Sequence, residues 1–155
     1  METSLILRDV LQSDLPLFYE DQADEEASRM AAFTSRNPEA FETHWKKIFA
    51  DKTTKRQTVI YGGETAGYVI AFNRSGEREL GYWIRKAYWG RGIASRAVAE
   101  FLRYETTRPL SALVAIHNKA SMRVLEKSGF VIVREEADFA KAGDTIIAGV
   151  VMRLS

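Results

Sequence analysis

The sequence has no cysteine, two histidines and three prolines in 155 residues, and each scarcity removes a class of chemistry. Without cysteine there are no disulfide staples, no thiolate nucleophile and no cysteine-based zinc site, a usage that fits a reducing cytosol. His44 and His117 lie far apart, with no Asp or Glu cluster at ligand spacing beside them, so no metal site is expected. Basic residues number 22 against 21 acidic ones, a formal net charge of +1. No global field therefore argues for a nucleic-acid partner or a membrane surface, and any anion site must be local. The opening METSLILRDV lacks the charged and long apolar regions of a signal peptide. The longest apolar run, Ile146 to Met152, is far shorter than the ~20 residues of a spanning helix. These absences lead to the expectation of a soluble, cytoplasmic protein.

What remains is ordinary globular material, 46% hydrophobic and 28% charged, with no internal repeat, low-complexity segment or linker. The length suits one core, and a single domain over residues 1–155 is expected. Ser4 to Val10 alternates as a first strand, after which Ser13 or Asp14 can cap a helix beginning near Pro16. Asn37 before Pro38 starts another, which would place Phe41, Trp45, Ile48 and Phe49 on one face. Two runs of β-formers around Gly62 and Gly63 read as a hairpin, and Glu77 to Arg85 as the third strand of a meander. In the second half helices alternate with strands. A helix runs from Ile93 to about Glu105, a short apolar strand from Ser111 to His117, then a helix from Lys119 to Ser128 stopped by Gly129. Strand, helix, strand predicts one parallel crossover in a mixed sheet. Phe130 to Glu135 and Thr145 to Arg153 would close it as a final pair.

The stretch YWGRGIASRAV, Tyr88 to Val98, sets two glycines around one arginine where a strand-like segment meets a helix. A helix N-terminus presents unpaired amides and about half a positive charge, so it attracts phosphate without many lysines. Gly90 and Gly92 would let backbone approach a pyrophosphate, with Arg91 as an added donor; equally, two glycines make a tight turn. The stretch HNKASMRVLEKSGF, His117 to Phe130, begins at the carboxyl end of the next strand, where open α/β sheets bind ligands. Asn118 there reads as a helix cap and Ser121 as a first-turn hydroxyl, both able to face the same crevice.

YWGRGIAS followed by NKASMRVLEKSGF resembles the acetyl-CoA-binding core of the GNAT acetyltransferases, most of all the branch with the ribosomal-protein-alanine N-acetyltransferases. The order of elements matches across nearly the whole chain, although before Thr58 in pattern more than in letters. The resemblance implies a GNAT-like α/β fold, a mostly antiparallel sheet with one parallel crossover, splayed between the strands ending near Ile84 and His117. It implies acetyl-CoA as co-substrate, with its pantetheine arm in the gap. The backbone of Trp83, Ile84 and Arg85 would pair with that arm as an added strand would, and Asn118 would contact it. Gly90, Arg91, Gly92, Ile93, Ala94 and Ser95 would hold the pyrophosphate. Where the family's loop usually opens with glutamine or arginine, this chain has Trp89.

Acetyl transfer to an amine needs a neutral amine, a stabilised oxyanion and a protonated thiolate on departure. Deprotonating an α-amine at pH 7 costs about 1.4 kcal/mol and a lysine about 4.6 kcal/mol. Glu79 is the candidate base, since many family members resemble this chain in having an acidic residue there; as a bare strand carboxylate it would pair with Arg78 or a neighbouring lysine. Many GNAT enzymes carry a tyrosine four residues after Ser121, where this chain has Leu125, so the resemblance leaves Ser121, or no side chain at all, as the acid. His117 is a weaker contender for that role. With no cysteine to carry an acetyl group, direct attack in a ternary complex is expected. Five acidic residues between Glu20 and Glu26 would form an acceptor wall suited to a cationic amine, or simply a solvated helix face. The acceptor stays open, from a protein N-terminus to a small-molecule amine, and a homodimer is compatible. Leu125 also keeps a second reading, a non-catalytic acyl-CoA-binding sensor or scaffold.

Overall fold

The computed structural model describes residues 2–142 and 144–155. Strands β1 (Leu5–Asp9), β2 (Lys55–Tyr61), β3 (Glu64–Arg74), β4 (Glu77–Ile84), β5 (Leu110–Ala115), β6 (Val131–Ala142) and β7 (Thr145–Leu154) form a seven-stranded sheet in the order β1-β2-β3-β4-β5-β7-β6. Every neighbouring pair is antiparallel except β4 and β5, which are parallel. That is the mixed sheet with one crossover that the pattern predicts. The parallel pair joins at two register positions only, Arg78 with Leu110 and Glu79 with Ser111. Beyond Glu79 the two part: β5 stays paired through its other edge with β7, from Leu110 opposite Leu154 to Ala115 opposite Gly149, and β4 runs on with a free edge.

Helices cover both faces. On one lie α4 (Ile93–Leu102) and α5 (Lys119–Lys127), whose Ile93, Val98, Phe101 and Leu125 bury against Val59, Val69, Leu80 and Ile84 of the sheet. On the other lie α1 (Leu15–Ala23), α2 (Glu25–Ala31) and α3 (Pro38–Ala50), with a smaller, aromatic core of Val10, Phe18, Phe41 and Trp45. Asn37 caps α3, its Oδ1 accepting from the Ala40 amide at 2.8 Å, and Pro38 occupies the first turn. At the end of α5, the amides of Gly129 and Phe130 donate to the carbonyls of Glu126 and Leu125, the Schellman closure that the glycine signals.

Four expectations need correction. Asp14 does not cap α1: its carboxylate takes Arg8 at 2.7 and 2.8 Å, the Leu11 amide at 2.9 Å and the Thr58 hydroxyl at 2.7 Å. Burial opposes ionisation there, but these donors outweigh it and hold Asp14 below its ordinary pKa. Helix α4 stops at Leu102, not near Glu105, because Glu105 turns inward to a buried ion pair with Arg78 at 2.7 Å. Strand β5 ends at Ala115, short of His117. Strand β6 runs to Ala142, well past Glu135, with register shifts along its pairing to β7.

Candidate active site

The junction from β4 to α4 is built to leave amides bare. A short 3₁₀ turn, Lys86–Tyr88, follows β4, and the Trp89 amide closes it on the Lys86 carbonyl at 3.1 Å. The Trp89 indole Nε1 then donates to the Ile84 carbonyl at 2.8 Å, so the tryptophan in place of the usual loop residue anchors the loop to the strand. Gly90 and Gly92 both sit at positive φ, 79° and 73°, a region that other residues occupy only at a cost. Two such turns in succession carry the chain into α4 without folding its amides back on neighbouring carbonyls. Among the described residues, none of the amides from Gly90 to Ser95 finds an acceptor. The first of the helix to do so is that of Arg96, on Gly92 at 3.2 Å. The Arg91 guanidinium lies over the Tyr88 ring at 5.5 Å.

The free edge of β4 flanks this loop. The Arg85 amide donates to Ala66 of β3 at 2.8 Å, and backbone groups alternate sides along a strand. Arg85 and Trp83 therefore turn their polar backbone toward β3, while Ile84 and Tyr82 turn theirs toward the gap. Of the segment Trp83 to Arg85, only Ile84 faces the splay, with Tyr82 beside it in place of the two flanking residues.

Across the gap, Asn118 Oδ1 accepts from the Ser121 amide at 3.2 Å and so caps α5. The Ser121 hydroxyl meets the Tyr82 hydroxyl at 2.5 Å. Tyr82 does not stand out in the sequence, yet it brings a phenol to Ser121, one turn before Leu125 on α5. Burial raises the Tyr82 phenol above its ordinary pKa, and the bond with Ser121 counteracts this. The signal available in the sequence was an aromatic next to Trp83 on the strand leading to the glycine loop; its partner, 39 residues away, was not. His117 instead directs Nε2 to the Arg29 carbonyl at 3.0 Å.

Glu79 stands three residues before Tyr82, hence on the opposite face of β4, about 10 Å along the strand. It pairs neither with Arg78 nor with a lysine but with Arg74, at 2.9 Å. Its side chain is only 14% exposed, and burial raises its pKa above the ordinary carboxylate value in spite of the arginine. Glu79 and Tyr82 thus share β4 without direct contact, and Ser121 reaches Tyr82 from α5.

On Glu79's face of the sheet, a cavity of about 510 Å³ opens between β3, β4 and the helices, within the range of small-molecule sites. Phe18, Phe33, Phe41, Trp45, Tyr68 and Trp83 wall it, and Gly81 and Tyr82 form part of its floor. Trp83 packs edge-on against Phe33 at 5.6 Å, and burial pushes the Tyr68 phenol up to about 12. The acidic stretch expected to wall the acceptor is largely engaged elsewhere. Asp21 binds Arg85 at 2.9 Å, Asp24 caps α2 and faces Lys86, Glu26 also binds Lys86, and Glu25 faces Arg29.

A helix start with bare amides, a sheet parted between β4 and β5, and a hydroxyl pair from β4 and α5 form one arrangement. The profile of the acetyltransferase (GNAT) domain matches residues 4–131. The chain belongs to the GNAT family. This GNAT chain is 27% identical over 114 residues to YdaF of Bacillus subtilis (strain 168), provisionally named a ribosomal N-acetyltransferase; the match covers 64% of the chain and 62% of YdaF. The chain thus spans somewhat under two thirds of that curated relative's length. Among solved structures, a spermidine N-acetyltransferase from Vibrio cholerae in complex with CoA and spermine superposes with a TM-score of 0.84 at 18% identity, over 97% of this chain and 94% of that one. RimL, a ribosomal-protein alpha-N-acetyltransferase in complex with coenzyme A, superposes with a TM-score of 0.80 at 16% identity, over 97% and 93%. Such identities speak to the fold, which is that of the GNAT family.

Proposed function

We propose that this chain, as one domain over residues 1–155, is an acetyl-CoA-dependent N-acetyltransferase of the ribosomal-protein-acetyltransferase-like branch, acting on a primary amine. The observation that carries the reading is the run of unpaired amides from Gly90 to Ser95 beside the free edge of β4. Together they suit a ligand with a diphosphate at one end and amides along its arm. The coenzyme complexes of the similar structures support the same ligand class. Gly90 to Ser95 and Arg91 hold the diphosphate, the Ile84 amide with the Tyr82 backbone pairs with the arm along the gap, and Asn118 borders it.

The amine nitrogen attacks the thioester carbonyl carbon directly, forming the C–N bond. The carbon–sulfur bond then breaks, and the thiolate takes a proton from the Ser121 hydroxyl, which Tyr82 can replenish across their shared hydrogen bond. Glu79 receives the proton lost by the amine, through water, and its raised pKa makes it a stronger base than a solvated carboxylate. Among the described residues no helix is long and apolar enough to cross a membrane, and we place the protein in the cytoplasm.

Release of free CoA from acetyl-CoA across a panel of amines tests the activity: release should depend on the amine. Coenzyme binding with no amine-dependent release would overturn it. Ser121→Ala and Tyr82→Phe should each slow kcat by the order of 10²-fold with little change in acetyl-CoA affinity. The double variant should be scarcely slower than either, because the two share one bond.

A further inference from the structure

The aromatic cavity has an electrostatic character that the acidic stretch of the sequence does not suggest. Its lining carries Arg36, Lys47 and Arg74 against one carboxylate, Asp51. Arg74 is matched by Glu79, and Asp51 is engaged by the Thr53 amide and hydroxyl at 2.9 and 2.6 Å. Lys47 is exposed on α3. Arg36 differs from all of these. It is half-buried, and its guanidinium has neither an ion-pair nor a hydrogen-bond partner among the described residues; it lies over the Phe33 ring at 5.0 Å. Its backbone is fixed from both sides by the buried Gln22, whose Oε1 accepts from the Arg36 amide at 2.6 Å and whose Nε2 donates to the Arg36 carbonyl at 3.1 Å. The buried glutamine, whose Nε2 also donates to the Tyr19 carbonyl at 3.2 Å, thus ties this loop residue to α1 and leaves an unpaired arginine stationed at an aromatic wall. The field reaches its neighbour: burial first, then Arg36 and Lys47, push the His44 imidazole down to about 4, so His44 is neutral at physiological pH and adds no competing charge.

We propose that this cavity receives an amine acceptor that is both aromatic and carboxylate-bearing, with Arg36 as the counter-ion that selects it and with polycationic amines excluded. This rests on the acetyl-transfer reading for the fate of the amine, but not for its binding. The aromatic walls stack on a ring, and the planar guanidinium suits a carboxylate in a bidentate arrangement. A second ammonium on the acceptor would instead meet the uncompensated charge of Arg36 and Lys47. Gln22 acts as a positioning residue for Arg36.

The test uses the full chain with phenylalanine, phenylalaninamide, spermidine and an amidated phenylalanyl-glutamyl peptide. Binding is followed by tryptophan fluorescence and turnover by CoA release. Phenylalanine should bind and react at least tenfold better than its amide and better than spermidine. Arg36→Gln should lower the preference for phenylalanine over the amide by about tenfold or more, and Arg36→Lys should restore part of it. Preference for the acidic peptide over free phenylalanine would assign the carboxylate to a peptide side chain, within the same proposal. Equal use of phenylalanine and its amide, a preference for spermidine, or an unchanged preference in Arg36→Gln would overturn it, as would the absence of any phenylalanine binding. Binding that depends on Arg36 without CoA release from any amine would keep the cavity assignment and defeat the acetyl-transfer reading instead.

Discussion

The two faces of the sheet are built from different side chains for different ends. Under α4 and α5 the filling is mainly aliphatic and nearly complete: Phe101, Leu110 and Val98 are 0% exposed and Ile93 and Leu125 are 1%. Under α1, α2 and α3 the filling is mostly aromatic, the buried cluster is four residues with up to 8% exposure, and a cavity remains. Branched aliphatic side chains interdigitate to crystal-like density. Large rings in tilted and edge contacts, such as Phe18 with Tyr68 at 4.8 Å and Trp45 with Tyr68 at 5.3 Å, brace one another while leaving space between them. The tightly packed face fixes the start of α4 and hence the bare amides. The looser face can admit a second molecule. Strand β4 belongs to both, with Glu79 on one side and Tyr82 on the other.

That contrast is open to direct attack. Phe101→Ala should cost about 3–5 kcal/mol of stability, whereas Phe33→Ala, on the cavity wall, should cost about 1 kcal/mol or less; chemical denaturation with matched slopes reads both. Comparable losses would mean that the cavity face is as much a structural core as the other. Next in size is Gly92→Val, which forces a β-branched residue to φ near +73° at a cost of the order of 1–3 kcal/mol. A Cβ there would meet nothing within 4 Å, so the penalty is conformational and not crowding. Acetyl-CoA affinity by calorimetry should fall by about 10- to 100-fold, with Gly92→Ala intermediate. Unchanged affinity would detach the loop from the coenzyme.

The smallest effect is a change of pH profile. Burial raises Glu79, so as base it loses competence when pH falls through that raised value, and kcat/KM should show an acid limb above the ordinary carboxylate pKa of about 4.3. Glu79→Gln should remove the limb; a retained limb would take the base role from Glu79. For stability the sign is opposite. The folded chain binds this proton more tightly than the unfolded one, so ionised Glu79 costs stability above about pH 4.3. Melting at pH 7 should therefore show Glu79→Gln no less stable than the parent chain.

Much of the fold was readable because its signals are local. The hairpin glycines Gly62 and Gly63, the Asn37–Pro38 start, the apolar stripe of α4 and the glycine stop of α5 each act within a turn or two of chain, and each element is present, although α4 stops at Leu102, short of Glu105. Readings failed where a distant charge decided the outcome. Glu105 left the helix for Arg78, 27 residues away. Asp14 left the cap for Arg8 and Thr58, and Asp21, Asp24 and Glu26 of the acidic stretch meet Arg85 and Lys86. The site divided in the same way. The glycine loop, Asn118 and Ser121 could be named from spacing and family resemblance, whereas the phenol of Tyr82 and the unpaired guanidinium of Arg36 could not.

Order along the chain was enough for whatever short-range physics can carry: where most helices start, which strands alternate, and that two glycines would precede a helix. Which charges cancel and which hydroxyls meet was settled only on folding. Coulombic pairing and desolvation depend on separation in space and on access to water, and neither is fixed until the sheet has brought residues 39 or 64 positions apart into contact.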